Sequence, residues 1–268
     1  MYKNLITFEV LTDKSFIKVK LILMHMHFAV VYVIVFVCSY VIGSIPFSWI
    51  VTKLTTGQDL RKVGSGNVGG RNVYRATKSK KWAWFAGFLD VSRSVTAVVV
   101  PYIVSKVLYF DKLLNLEKLT SFFPDTIACF SLTIAGLGAI LGHNWPLYLL
   151  SSGGRGITVV LASMLVANPI VVAFWIILWP LVITLVGYSS IAYMVTTFLC
   201  GVIVLFLPVM MPWAECNLAI AVLLFTISFV MLSRQRDNFR KIKSGEAKKM
   251  KIWKALGRKN KISEEILK

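Results

Sequence analysis

Long apolar runs dominate this chain of 268 residues and constrain its fold more than any other feature. In a lipid core about 30 Å thick, a helix of about 20 apolar residues can pair all of its own backbone polar groups. Apolar residues make up 57% of the chain and charged residues 16%, against about 45–50% and about 25% in a soluble domain. The sequence therefore predicts an all-α, polytopic integral membrane protein and excludes soluble, disordered and disulfide-scaffold classes.

Seven apolar segments are predicted to be helical, although five, six or seven crossings all fit the pattern. The fourth segment is short and ends at Asn168-Pro169. The residue before a proline disfavours continued helix, so we expect a turn there, followed by a full span. The predicted segments are 28–52, 83–107, 126–142, 157–168, 169–187, 190–207 and 217–233.

The charge excess predicts the orientation. Lys and Arg number 30 against 12 acidic residues, a formal net charge of +18. Cytoplasmic loops collect Lys and Arg, and seven crossings place 21 of the 30 on one side of the membrane, in 54–81, 143–156 and 234–268. This predicts a multi-pass membrane protein with the N-terminus outside and the C-terminus cytoplasmic. Topology explains most of the charge, so no nucleic-acid partner is expected.

The two ends of the chain are set apart from the membrane domain, which we place at 26–246. Residues 1–25 do not match a signal peptide, and we interpret them as an extension from a misplaced start, since Met24 or Met26 precedes the first span. Residues 247–268 form a basic tail suited to anionic lipid. The four cysteines stand singly, match no metal-binding spacing, and are interpreted as small packing residues.

The loop after the first span carries four glycines between Gly64 and Gly70. Such a loop lets backbone N–H groups approach an anion closely. Ser65, Asn67 and Asn72 add neutral polar groups, and Arg75 adds a forked cation suited to phosphate. The alternative is a flexible basic loop that only obeys the charge rule for cytoplasmic segments.

A second loop, after the third span, combines Gly153, Gly154 and Arg155 at the start of a helix. The positive end of a helix dipole favours an anion there. His143 lies at the beginning of this loop, either as a ligand or as a structural histidine at the membrane boundary.

Other polar residues stand at membrane depth or at its edge. Asp90 and Arg93 share one helix face and can pair with each other, for function or for structure alone. Ser190 follows a turn at a cytoplasmic boundary. If the tail continues the last span, Arg234 and Asn238 fall on one stripe, either as ligands or as part of a basic helix held against anionic lipid. Several predicted cytoplasmic segments thus combine glycine or serine with arginine, next to apolar helices. This combination suits a substrate that has a phosphate group and a lipid tail.

Five elements in order make the sequence resemble the bacterial acyl-phosphate:glycerol-3-phosphate acyltransferases, the PlsY family. The resemblance covers about residues 28–246, over 80% of the chain. The elements are Gly43-Ser44-Ile45-Pro46-Phe47, the Gly64-Ser65-Gly66-Asn67 loop with Asn72 and Arg75, Asp90 with a cation three residues on, Gly142-His143 before Gly153-Gly154-Arg155, and Arg234-x-Arg236-x-Asn238 before Gly245-Glu246.

The resemblance implies seven helices and acyl transfer from acyl-phosphate to the 1-hydroxyl of glycerol 3-phosphate, without metal or cofactor. It also implies that the departing phosphate helps to deprotonate the hydroxyl, so no protein base is required. The implied catalytic residues are Ser65, Asn67, Arg75 and Arg155. The implied substrate-binding residues are Ser44, Asn72, Asp90, Arg93, His143, Gly153, Gly154, Ser190, Arg234, Arg236, Asn238 and Glu246.

The chain departs from the family pattern inside these elements. Arg155 and Arg93 stand where the family usually has Lys, and Gln235 stands where the tail usually has His. A divergent enzyme is one interpretation. The second is a catalytically weakened paralogue that binds phospholipid or acyl-phosphate. A small transporter ranks third, because the sequence has no inverted hydropathy repeat. Oligomeric state and acyl-chain preference are left open.

Overall fold

The computed structural model describes residues 14–108, 124–150, 153–206 and 216–246, and all regular structure within them is helical. Two short 3-10 turns, at Leu60–Lys62 and Leu147–Leu149, lie between the α-helices. The α-helices are α1 (Lys14–Gly43), α2 (Phe47–Thr56), α3 (Gly70–Thr77), α4 (Lys80–Leu108), α5 (Pro124–Asn144), α6 (Ile157–Ala167), α7 (Pro169–Val186), α8 (Ser189–Phe206), α9 (Asn217–Ser233) and α10 (Arg236–Lys243).

Six of the seven predicted apolar segments correspond to single helices, and the expected turn at Asn168-Pro169 is confirmed. Asn168 is extended at φ −163°, and its side chain accepts a hydrogen bond from the Ile170 N–H at 3.0 Å, which caps α7. The first predicted segment differs, because α1 ends at Gly43 and α2 starts after Pro46. The first apolar segment is therefore interrupted between Gly43 and Phe47.

Four stretches within the described residues are long and apolar enough to cross a membrane: His25–Thr56, Lys80–Ser105, Pro169–Val186 and Ser189–Phe206. Ile157–Ala167 and Asn217–Ser233 are shorter apolar helices. The total of seven crossings stays a prediction, as do the domain limits at residues 25 and 246. Residues 1–13 and 247–268 lie outside the described residues.

Glycines bring α1 and α5 into direct backbone contact. A Cβ atom at Gly138 would lie 2.6 Å from the Phe36 carbonyl oxygen, and one at Gly142 would lie 2.3 Å from the Tyr40 carbonyl oxygen. Small residues allow this approach in helical membrane proteins, where packing rather than water exclusion holds helices together. The contact sets the C-terminal end of α5, and the loop that follows it, beside the end of α1.

Cys129 and Cys216 form a disulfide, so their interpretation as separate packing residues is wrong. The bond joins the first turns of α5 to the residue that precedes α9, and the Thr133 hydroxyl donates to the Ala219 carbonyl at 2.9 Å nearby. From this point α5 and α9 run together for about 22–24 Å, at 1.5 Å per residue, to their C-terminal ends. The disulfide and the C-terminal ends of these two helices thus lie on opposite sides of the bundle.

Candidate active site

A cavity of about 1050 Å³ opens where α5 and α9 end and α6 begins. It is lined by three segments that are far apart in the sequence: the loop before α3, the loop before α6, and the region around α10. Its lining residues are Arg61, Ser65, Gly66, Asn67, Trp145, Gly153, Arg155, Ser233, Arg234, Asn238, Arg240, Lys243, Ser244 and Glu246.

Asn72 holds the first loop in shape. Its side-chain amide donates to the carbonyls of Leu60 (3.0 Å) and Val63 (2.9 Å), and its Oδ1 accepts from the Ser65 N–H at 3.3 Å. The side chain is 1% exposed. Gly64 has a φ of +56°, a conformation that a side chain would strain. The Asn72 amide therefore fixes the conformation of the loop, which places Ser65 in the cavity lining.

Arg61 is fixed beside this loop by Asp59. The Arg61 Nη2 atom lies 2.7 Å from Asp59 Oδ2, and its Nη1 donates to the Leu149 carbonyl at 3.2 Å. The Trp49 indole N–H donates to Asp59 Oδ1 at 2.9 Å. The Arg61 guanidinium holds the pKa of the Asp59 carboxyl well below its usual range, mainly through the side-chain hydrogen bond. The Arg61–Asp59 pair therefore connects the first loop to the 3-10 turn Leu147–Leu149.

The second loop requires glycine for steric reasons. A Cβ atom at Gly154 would lie 1.9 Å from His143 Nε2, and one at Gly153 would lie 2.2 Å from the His143 carbonyl oxygen. Gly156, with a φ of +83°, precedes α6 and offers no side-chain cap. Arg155 is thus carried by a tightly packed loop directly before a helix N-terminus, which is a favourable position for an anion.

Behind this loop lies a buried polar cluster. Arg93 donates to the carbonyls of Gly43 (2.8 Å) and Ile45 (2.9 Å), and its Nη2 lies 2.6 Å from His143 Nδ1. Because a guanidinium can only donate, the imidazole must accept at Nδ1, and its remaining proton is on Nε2, facing Gly154. The Asp90–Arg93 pairing predicted from their spacing is confirmed at 3.9 Å.

The tail closes the cavity from a third direction. Helix α9 ends at Ser233 and a turn precedes α10, so the last span does not continue as one helix. The Arg234 guanidinium lies 5.7 Å from the centre of the Trp145 ring and donates to the Gly153 carbonyl at 3.4 Å. Arg155 Nη2 donates to Asn238 Oδ1 at 3.2 Å. The second loop and the tail are therefore connected through side chains.

The structure brings about half of the predicted site residues to the cavity, and it adds cations that the sequence did not single out. Predicted residues that line it are Ser65, Asn67, Gly153, Arg155, Arg234, Asn238 and Glu246. Predicted residues outside the lining are Ser44, Asn72, Arg75, Asp90, Arg93, His143, Gly154 and Ser190. Unpredicted lining residues are Arg61, Gly66, Trp145, Ser233, Arg240, Lys243 and Ser244. The Arg236 side chain lies outside the described set.

The lining is strongly cationic. Five of its residues carry a positive charge and one, Glu246, carries a negative charge. An arginine fork matches the oxygens of a phosphate, and two phosphate-bearing molecules would balance such a surface. Among the described residues, no group of three or more His, Cys, Asp or Glu side chains is arranged to hold a metal ion.

Comparisons with known proteins show which family the chain is similar to. The sequence profile of the glycerol-3-phosphate acyltransferase family matches residues 33–245. A glycerol-3-phosphate acyltransferase of Ehrlichia chaffeensis is 30% identical over 222 residues, which are 83% of this chain and 98% of that protein. One from Zymomonas mobilis is 30% identical and covers 80% of this chain and 93% of its own length.

A solved structure shows the same fold. The crystal structure of PlsY (YgiH), an integral membrane glycerol 3-phosphate acyltransferase in its glycerol 3-phosphate form, superposes with a TM-score of 0.61 at 26% identity. The match covers 84% of this chain and 98% of that one. An all-helical chain that matches the family profile and this membrane fold over nearly the whole length of its relatives belongs to the glycerol-3-phosphate acyltransferase family.

Proposed function

We propose that the chain transfers an acyl group from acyl-phosphate to the 1-hydroxyl of glycerol 3-phosphate, giving lysophosphatidic acid and phosphate for phospholipid synthesis. The observation that carries this proposal is the cavity in which Ser65, Arg155, Arg234 and Asn238 meet from three separate segments. Family membership supports the activity, and the cationic lining supports two phosphate-bearing substrates.

The reaction needs little acid–base chemistry from the protein. The 1-hydroxyl oxygen of glycerol 3-phosphate attacks the acyl carbonyl carbon, the bond from that carbon to the phosphate oxygen breaks, and phosphate leaves with the electron pair. The hydroxyl proton passes to the departing phosphate. Because the acyl-phosphate is already activated, positioning and charge stabilisation by fixed donors supply most of the rate increase. No cofactor is required by this scheme.

The cavity residues divide between the two substrates. Ser65, Asn67 and Arg155, at the N-terminus of α6, are proposed to bind the acyl-phosphate head group. The Gly153 N–H already donates to the Asn144 carbonyl at 3.0 Å, so Gly153 is proposed to shape this wall of the site. Arg75 does not line the cavity, but its side chain lies beside Gly64, the residue before Ser65, and we assign it to the same phosphate. Charge that develops on the phosphate as it leaves is then stabilised by guanidinium groups already in place.

Glycerol 3-phosphate is assigned to the tail side of the cavity. Arg234, Asn238, Glu246 and Arg236 are proposed to bind it. Its phosphate would meet the cations, and its hydroxyls would meet the amide and carboxylate groups.

Six predicted residues are buried behind the cavity, and we propose that they act by holding the loops. Asn72 bonds the first loop internally, and Arg93 bonds His143, which packs against Gly154. Ser44 donates to the Tyr40 carbonyl at the end of α1. These residues are Ser44, Asn72, Asp90, Arg93, His143 and Gly154.

The disulfide supports the proposed orientation in the bacterial inner membrane. Disulfides persist in an oxidising compartment and are rare in the cytosol. Cys129 and Cys216 lie at the end of the bundle opposite the cavity, which leaves the cavity on the cytoplasmic side. The N-terminus is then outside, and the basic tail at 247–268 meets anionic lipid at the cytoplasmic surface.

The activity is tested with purified protein in detergent, palmitoyl-phosphate and glycerol 3-phosphate. We expect stoichiometric release of phosphate and lysophosphatidic acid, with neither product in excess of background when glycerol 3-phosphate is omitted. Binding of palmitoyl-phosphate without turnover, under conditions in which the Ehrlichia chaffeensis relative turns over, would instead assign the weakened, lipid-binding role.

The orientation is tested with Gln58→Cys, because Gln58 is exposed beside the first loop. A membrane-impermeant maleimide is expected to label this cysteine in inverted vesicles and not in spheroplasts. The unmodified chain, which retains Cys38 and Cys200, is the matched control for background labelling. Labelling of Gln58→Cys in intact spheroplasts would reverse the proposed orientation.

A further inference from the structure

We infer that Gln235 is a positioning residue whose carbonyl oxygen orients Asn238 and, through Asn238, the phosphate-binding arginine Arg155. This inference rests on the proposed function of the cavity. Gln235 stands where the family usually has histidine, a substitution that by itself suggests the loss of a ligand. The structure gives it a different role.

The hydrogen-bond donors and acceptors of the Arg155, Asn238 and Gln235 side chains can be assigned in only one way. Arg155 has only donors, so the Asn238 atom that meets its Nη2 at 3.2 Å must be the carbonyl oxygen Oδ1. The amide nitrogen of Asn238 then points the other way, at Gln235. An amide nitrogen can only donate, so Gln235 must present its carbonyl oxygen Oε1 to it. The acceptor at position 235 thereby determines which face of Asn238 meets Arg155.

Gln235 is placed to do this rigidly. Gln235 is 1% exposed and does not line the cavity, whereas Asn238 and Arg155 both do. Its backbone is held on both sides: its N–H donates to the Leu232 carbonyl at 3.0 Å, and its carbonyl accepts from the Phe239 N–H at 2.9 Å. A buried side chain on a fixed backbone loses little entropy when it holds a partner in place, which is how supporting residues preorganise a site.

The same donor and acceptor assignment shows what a histidine at position 235 would offer. A neutral imidazole has one nitrogen with a lone pair and one that donates. It can therefore offer Asn238 the acceptor that Gln235 Oε1 offers. The feature required at position 235 is an acceptor aimed at Asn238, and the basicity of a histidine is not needed for it.

The first test compares Gln235→Met, which has a similar length but no comparable acceptor, with Gln235→His, which keeps one. We expect Gln235→Met to lower kcat/KM about 10-fold or more. A lower kcat is expected because misoriented Arg155 acts on the leaving phosphate, and a higher KM for glycerol 3-phosphate because Asn238 is proposed to bind it. Gln235→His should stay within about 3-fold of the unmodified chain at about pH 8, where the imidazole is neutral. Gln58→Met, at an exposed glutamine in the loop after α2, is the matched control and should change nothing.

A double mutant separates positioning from a general packing role. In an Asn238→Ala background, Gln235 has no amide to orient, so adding Gln235→Met should cost nothing further. The pH profile of Gln235→His gives a readout that does not depend on how Gln235→Met folds. Protonation of the imidazole turns its acceptor into a donor, so the ratio of its rate to that of the unmodified chain should fall at acid pH. The Arg155 guanidinium, which bonds Asn238 next to this position, would lower the pKa of the introduced imidazole below the ordinary histidine value of about 6.5.

The results also separate this inference from the proposed function. Binding of glycerol 3-phosphate and of inorganic phosphate is measured by calorimetry on the same variants, with weaker binding expected for Gln235→Met alone. An unmodified chain that binds but does not turn over refutes the acyltransferase activity and leaves the positioning role to be decided by binding. Binding of neither anion overturns both. Losses from Gln235→Met that are equal with and without Asn238→Ala, or no loss in either background, overturn the positioning role.

Discussion

Replacing Gly154 by alanine tests the steric account of the second loop most directly. The new Cβ atom would lie 1.9 Å from His143 Nε2 and 2.4 Å from Cε1, whereas non-bonded carbon atoms rest about 3.5–4.0 Å apart. His143 has little room to retreat, since it is 7% exposed and its Nδ1 lies 2.6 Å from Arg93. Either the imidazole or the loop must move.

Both responses carry a calculable cost. Overpacking of a buried site typically costs about 1–3 kcal/mol. Displacing the imidazole also breaks a buried hydrogen bond to a charged group, worth about 1.5–3 kcal/mol. The free energy of unfolding should therefore fall by about 2.5–6 kcal/mol if the imidazole moves. If the loop moves instead, Gly153 and Arg155 shift by about 1 Å, and such a shift can reduce the rate on the order of 10²-fold.

The assay is the kcat/KM of lysophosphatidic acid formation together with the Tm in detergent. Gly87→Ala is the matched control: apart from its own helix backbone and its chain neighbours, no atom lies within 4 Å of its added Cβ. Gly87 is inside α4, where alanine is favoured over glycine by up to about 1 kcal/mol. We expect Gly87→Ala to leave the rate unchanged and the Tm equal or slightly raised. A Gly154→Ala protein with unaltered rate and Tm would refute the argument that His143 and Arg93 hold this loop.

Three further predictions address the cavity and its scaffold. Arg155→Ala and Arg75→Ala should each lower kcat/KM on the order of 10²-fold or more, because each removes a cation proposed to stabilise the phosphate as it leaves. Reduction of the Cys129–Cys216 bond should lower the Tm, since the bond closes a sequence separation of 87 residues, with an upper limit of about 4–5 kcal/mol on the stabilisation lost. Asp59→Asn should lower the Tm at neutral pH: the folded-state pKa of Asp59 is depressed, so its stabilisation is present above its ordinary pKa of about 4 and disappears as the pH falls through the folded value.

Each of these predictions has a result that contradicts it. Normal turnover of both arginine variants would show that the phosphate assignment is wrong. A Tm of the unmodified chain that is the same with and without a reductant, and the same as that of a Cys129→Ala control, would contradict the stabilising role of the disulfide. An Asp59→Asn protein whose Tm matches that of the unmodified chain at neutral pH would show that the contact with Arg61 contributes nothing measurable.

Much of the helical framework could be predicted from local sequence, since a backbone in lipid must satisfy its own hydrogen bonds. The break at Asn168-Pro169 and the ends of α8 and α9 lie within a residue or two of the predicted positions. The bend at Pro46 was the exception, because an apolar run continues through it. Apolar residues indicate only that a segment lies in the membrane. They do not reveal a local turn, such as the one at Pro46, when the backbone polar groups of that turn are hydrogen-bonded.

The partners of individual side chains depended on contacts between distant segments. Cys129 and Cys216 stand 87 residues apart, and only the parallel packing of α5 and α9 brings them together. Arg61 is one more loop charge in the sequence, and only its contacts with Asp59 and Leu149 place it in the cavity wall. A signal was available in the Asp59-x-Arg61 spacing, but a short-range pair alone does not locate a cavity.

Local sequence thus determined the membrane class and most helix limits, and it indicated the residue types of the proposed phosphate site, because lipid solvation and glycine stereochemistry act residue by residue. The tertiary structure decided which polar groups face the cavity and which support it from behind. Asn72, His143 and Gln235 all carry groups suited to a ligand, yet each is buried and bonded to protein atoms. Whether a polar side chain meets substrate or backbone depends on what distant segments place against it, and no local pattern encodes that.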